Sequence, residues 1–163
     1  LFLNVCEKAG QRRISVGLYG GTQDALDKLQ EYFKSHLPNL NIACAISPPF
    51  RELTQDEQSE YFKTINESGA KILFLGLGCP KQERWMAHNM DKINALMIGV
   101  GAAFDFYAGT KKMAPIWMMK LGLEWLYRLI TEPGRLWKRY LMNNPRFVFH
   151  FLVARMRGYL IKS

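Results

Sequence analysis

The residues of this chain best suited to chemistry lie in one short run, Gly76-Leu77-Gly78-Cys79-Pro80-Lys81-Gln82-Glu83-Arg84-Trp85. A cation, an amide and an anion stand side by side at 81–83. Lys81 can neutralise a diphosphate, Gln82 can make paired hydrogen bonds to a sugar or base, and Glu83 can accept from hydroxyls. The same trio also suits the solvated first turn of a helix, where a glutamate is electrostatically favoured. A second small-residue loop, Gly99 to Gly109, holds Gly101, Phe104 and Asp105. Asp105 is the lone carboxylate of an apolar, aromatic stretch and needs partners if buried. It can bind sugar hydroxyls, act as a base, or cap a neighbouring turn. A third loop, Tyr19-Gly20-Gly21-Thr22, offers glycines through which backbone N–H groups can approach a phosphate. It is neither GxGxxG nor a Walker loop, and a plain strand-to-helix turn explains it equally well.

Each loop follows an apolar run and precedes a helical pattern. Arg13–Tyr19, Leu40–Ile46, Lys71–Leu75 and Ala95–Val100 read as strands. Thr22 caps a helix to about Ser35, with Ala25, Leu26, Leu29, Tyr32 and Phe33 as its apolar stripe. Thr54-Gln55-Asp56-Glu57 matches a capping box, opening a helix that ends near Asn66 and Gly69. Pro80 takes the first position of a helix to about Lys92. Leu1 to Gly10 reads as the tail of a helix stopped by glycine. Alternating strands and helices predict an α/β fold, a Rossmann-like parallel sheet with flanking helices. Ligands of such sheets bind beyond the carboxyl ends of the strands, where all three loops fall.

The charge divides the chain at the same point as the pattern. Residues 1–109 hold 11 Lys+Arg against 12 Asp+Glu, whereas residues 110–163 hold 11 against 2, a local net of +9. The sequence therefore predicts two parts: an α/β portion, 1–109, and a basic, aromatic helical appendage, 110–163. Pro115–Ile130, Pro133–Met142 and Pro145–Ile161 are its expected helices. Cations and aromatic rings mixed in this way suit phosphates, of lipid headgroups or of nucleic acid. A bundle with aromatics inside and arginines in water is the plainer alternative. Three cysteines without CxxC spacing indicate neither a disulfide framework nor a zinc site, which fits a reducing compartment. His36, His88 and His150 lack metal-ligand spacing, so neither a metal nor a cofactor is expected. No signal peptide is visible, and no apolar run reaches the roughly 18 residues of a membrane-spanning helix. The first residue is Leu1, and the chain reads as starting inside a longer protein.

Taken in order, these motifs resemble the WecG/TagA/CpsF glycosyltransferases. The resemblance is carried by Gly76–Trp85, Gly99–Gly109, Ala114–Trp117, Gly122–Leu129 and Glu132–Leu141, with the Ser47-Pro48-Pro49-Phe50 turn. It covers nearly the whole chain. It implies an inverting, metal-independent transfer of an N-acetylmannosamine-type sugar from a UDP donor. The implied acceptor is a polyprenyl-diphosphate-linked sugar at the inner face of the cytoplasmic membrane, in the synthesis of teichoic acid, enterobacterial common antigen or related polymers. Carried onto this sequence, Gly20, Gly21, Gly78, Lys81, Gln82, Glu83, Gly101, Phe104 and Asp105 would line the UDP-sugar pocket. Arg128, Arg135, Lys138 and Arg139 would meet the membrane or the donor diphosphate. Nucleic acid is disfavoured as a partner, and a homo-oligomer is left open.

Two departures stand out. The family usually has Arg before Ala-Pro, where this chain has Met113; Lys111 or Lys112 is the nearest substitute, without a guanidinium's paired contacts. The family also carries a further N-terminal segment with an Asp proposed as catalytic base. These 163 residues therefore correspond to its C-terminal portion, with the base expected outside them. Asp105 and Glu83 are the remaining carboxylates of the motifs, and binding roles are expected for both. Two other classes stay open on the residues alone. A dinucleotide-dependent oxidoreductase would want an acidic residue after the second strand, where Ala43-Cys44-Ala45-Ile46 is apolar. The other is a non-catalytic module binding nucleic acid or anionic lipid through the basic tail.

Overall fold

The structure, a computed structural model, describes residues 1–110, 114–131 and 134. It divides into two compact units, 1–112 and 113–163. In the first, helix α1 (Phe2–Gln11) leads into strand β1 (Val16–Gly20), helix α2 (Gln23–His36), strand β2 (Ile42–Ile46) and helix α3 (Gln55–Glu67). Strand β3 (Ile72–Gly76), helix α4 (Lys81–Asn89), strand β4 (Leu96–Gly99) and the short helix α5 (Ala103–Tyr107) complete it. The four strands form one parallel sheet in the order β2-β1-β3-β4. The strand order reverses between β1 and β3, and crevices for ligands form at such a switch point.

Alternation along the strands builds a core on each face of the sheet. Val16, Leu18 and Phe74 face α1, α2 and α5, packing on Phe2, Cys6, Leu26, Leu29, Phe33 and Phe104. Tyr19, Leu73 and Leu75 face the other way, against Ile65, Trp85, Met86 and Ile93. Because both faces are covered, these strands read as continuous apolar runs rather than as alternating ones. Burying about ten such side chains, at roughly 1.5–3 kcal/mol each, is what holds the sheet and so fixes where its strand ends stand.

Several boundaries differ from the sequence expectation. Helix α1 runs through Gly10 and stops after Gln11, where Arg13 takes a left-handed φ of 54°. Gly10 is there for space: a Cβ would lie 3.3 Å from the backbone of Asn39 and Leu40. Helix α4 starts at Lys81 and ends at Asn89; Pro80, after a cis Cys79–Pro80 bond, is its N-cap residue instead of its first. The Gly99–Gly109 loop contains helix α5, too short for a helical period to show.

In the second unit the expected helix from Pro115 to Ile130 is two helices, α6 (Ile116–Lys120) and α7 (Glu124–Thr131). They are separated at Gly122, whose φ of +70° no other residue adopts cheaply. Trp117, Leu121, Trp125 and Ile130 are exposed. The expected helices Pro133–Met142 and Pro145–Ile161 lie outside the described residues, apart from Gly134. Among the described residues no helix is long and apolar enough to cross a membrane.

Candidate functional site at the carboxyl edge of the sheet

Strands β1, β3 and β4 deliver their three loops to the same edge. Gly20 pairs with Gly76 in the sheet register, one residue from each loop. A Cβ on Gly20 would fall 2.7 Å from the Gly76 carbonyl carbon, and Gly20 holds φ at +117°. A Cβ on Gly76 would fall 2.5 Å from the Phe104 ring, and one on Gly99 would fall 2.7 Å from Gln82 Nε2. Gly20, Gly76 and Gly99 are thus required by packing within the protein. Gly78 and Gly101 differ. Both have positive φ, and a Cβ at either would meet nothing within 4 Å. Gly109, at the end of the second loop, is like them, so at these three positions the glycine serves backbone conformation and not packing.

The polar residues are not equivalent either. Lys81 and Glu83 are exposed on the first turn of α4, and Lys81 forms no ion pair among the described residues. Gln82 is only 7% exposed. Its Oε1 accepts from the Gly101 N–H at 3.0 Å, and its Nε2 donates to Glu83 Oε1 at 3.0 Å. Its amide is therefore engaged within the protein on both sides, which the expectation of a base- or sugar-reading amide did not foresee. A glutamine in a first helical turn reads as solvated; only the fold brings Gly101 to it.

Phe104 is 1% exposed and belongs to the core beneath the loops, 5.7 Å from Phe2 between ring centroids. Any part it takes in binding passes through Gly21 and Gly76, against which its ring lies. Asp105 is half-buried on α5, and its carbonyl accepts from Thr110 N–H and Oγ1 at 3.0 and 2.9 Å. Trp85 anchors the same helix as Gln82: its ring lies 4.8 Å from Tyr19 and 6.0 Å from Phe62. Burial, reinforced by Tyr61, pushes the Tyr19 hydroxyl up to about 12, so it stays neutral at the strand end.

Two residues of this edge were read only as part of a rigid turn. Ser47 Oγ donates to the Gly21 carbonyl at 2.8 Å, tying the β2 loop to the β1 loop. Phe50, in the same turn, is 85% exposed. A serine directly after a strand and before Pro-Pro was the available signal. Strand β2 ends in Ile46, so no acidic residue stands where a dinucleotide ribose would be bound. Arg128 falls on α7 of the second unit, while Arg135, Lys138, Arg139 and the 111–113 segment with Met113 lie outside the described residues. Among the described residues no group of three His, Cys, Asp or Glu side chains is placed to hold a metal ion.

The model of the glycosyl transferase WecG/TagA/CpsF family matches residues 1–160. An N-acetylglucosaminyldiphosphoundecaprenol N-acetyl-beta-D-mannosaminyltransferase of Bacillus subtilis is 33% identical over 154 residues, 93% of this chain and 57% of that protein. A protein of the same name from Bacillus spizizenii is 31% identical over 150 residues, 91% of this chain and 55% of the relative. The chain thus spans a little over half the length of these curated relatives.

Proposed function

The chain belongs to the WecG/TagA/CpsF family of glycosyl transferases, and from that premise we propose that it forms the donor-binding part of a sugar transferase. The sugar is of the N-acetylmannosamine type, the donor is its UDP conjugate, and the acceptor is a sugar linked to a polyprenyl diphosphate. The observation that carries the reading is the convergence of three strand-end loops beside the β1/β3 switch point, within a family match of 160 residues.

In the proposed reaction an acceptor hydroxyl attacks the anomeric carbon from the face opposite UDP. The bond to the diphosphate breaks as the new glycosidic bond forms, and the configuration inverts. A base takes the hydroxyl proton, and positive charge stabilises the departing diphosphate. Lys81 supplies such charge at the strand edge, and the basic residues Arg128, Arg135, Lys138 and Arg139 serve contact with the membrane or with a diphosphate. The open backbone at Gly78 and Gly101 admits the nucleotide, and Glu83 and Asp105 take sugar hydroxyls. A lipid-linked acceptor places the protein peripherally on the inner membrane face. The exposed Trp117 and Trp125 of the second unit suit an interfacial position.

Titration calorimetry on the full-length protein tests the donor assignment. UDP is expected to bind with a dissociation constant of about 1 mM or tighter, and Lys81→Ala to weaken it about tenfold. No heat of binding at millimolar UDP would overturn the reading.

A further inference from the structure

We propose that Gln82 is a positioning residue, which ties the loop after β4 to the first turn of α4 and aims the Glu83 carboxylate at the donor sugar. The inference rests on the donor-site reading above and goes beyond it in separating the tasks of neighbouring residues. Gln82 is buried, so its amide is withdrawn from solvent and from any ligand approaching the open edge. Both ends of that amide are engaged. Oε1 accepts from the Gly101 N–H, and Nε2 donates to Glu83 Oε1, each at 3.0 Å. A backbone N–H can only be met by the oxygen, and a carboxylate only by the NH2 group, so the amide has one orientation.

The consequence is a relay of position from one loop to the next. Gly101 has a φ of +56°, a Cβ there would meet nothing within 4 Å, and its N–H bond to Gln82 ties this turn to the start of α4. Gly99 lets Gln82 pass, since a Cβ there would collide with its amide. Glu83 is exposed and uses one carboxylate oxygen on Gln82. Among the described residues its Oε2 makes no hydrogen bond or ion pair. A carboxylate held by one oxygen accepts from a hydroxyl with the other, and such charge-assisted bonds are about twice as strong as neutral ones.

A swap of the two side chains tests this in the full-length protein. Gln82→Glu keeps an acceptor for Gly101 but loses the donor to Glu83 and sets two carboxylates together. It should weaken binding of UDP-N-acetylmannosamine about tenfold while changing the affinity for UDP alone less than about twofold. Adding Glu83→Gln to that variant restores an amide–carboxylate hydrogen bond in the reverse sense. The double variant should recover to within about threefold of Glu83→Gln alone. A Gln82 that merely filled space, or that read the ligand itself, gives no such recovery, and its absence overturns the proposal. Amide hydrogen exchange without ligand provides an independent arm. The Gly101 N–H should be protected in wild type and in Gln82→Glu, and exposed in Gln82→Leu. An unprotected Gly101 in wild type overturns the tie between the loops. Protection without any binding of UDP overturns the aiming of Glu83 at a sugar, and the failure then belongs to the donor reading.

Discussion

The two halves of the sheet's carboxyl edge are finished in different ways. On the β2–β1 side each helix closes its own start. Thr22 accepts from the Ala25 N–H at 3.2 Å, and Thr54 and Glu57 form a complete capping box, with Arg51 gripping the Glu57 carboxylate. On the β3–β4 side nothing local does this. Helix α4 has Pro80 at its N-cap with no side-chain cap, and α5 has Ala102 with none. The loops there close on each other, through Gln82 and Gly101. Caps made within four residues are stable without a partner, whereas a tie across 19 residues depends on the whole sheet. The first half closes its helix starts locally, and the second closes its loops through a bond between elements distant in sequence.

The seam between the halves gives the largest expected effect. Gly20→Ala drives a methyl into the Gly76 backbone at 2.7 Å and must also hold φ at +117°. We expect a loss of about 3 kcal/mol of stability or more, adding overpacking to left-handed strain. Gly101→Ala, the same change on the β3–β4 side, meets open space and should cost only about 1 kcal/mol. Urea unfolding of the two variants measures the contrast. Equal losses would show that packing does not separate the two glycines.

That contrast also explains what could be read from the sequence. The α/β pattern, both threonine caps and the placement of Gly76–Trp85 at a strand end follow from signals within a few residues, and the structure has all of them. The Thr54–Glu57 box was legible because both its hydrogen bonds run between residues three apart. The burial of Gln82 was not, because its environment comes from β4, which lies beyond α4 in sequence. The burial of Phe104 was not legible for the same reason: a phenylalanine in a small-residue loop gives no sign that two glycines of other loops rest on it. Gly10 carried a stop signal that the packing of Asn39 and Leu40 overrode, while Gly122 carried one that the helix obeyed. Motif order identifies the family, and tertiary contacts decide which motif residues face outward.

A smaller effect tests whether the halves also differ in function. Thr22→Ala removes a cap that the sheet does not depend on, so stability should fall by about 1 kcal/mol. UDP affinity should stay within about twofold, because the β1 loop keeps its tie from Ser47 to the Gly21 carbonyl. Calorimetry on the variant, run beside its urea melt, decides this. A tenfold loss of UDP affinity would mean that the α2 terminus itself holds the phosphates, and the division between a structural and a binding half would fail.

The smallest effect belongs to the Glu57 carboxylate. Its hydrogen bonds from Arg51, then from the Thr54 backbone, lower it from 4.5 to about 2. A carboxylate depressed on folding adds stability that is fully present above about 4.5 and is lost as the pH falls toward 2. Glu57→Gln should therefore be less stable than wild type at pH 6, with the gap closing between pH 4.5 and 2. The pair lies at the surface, with Arg51 57% and Glu57 33% exposed, so the gap should be small and shrink further in 1 M salt.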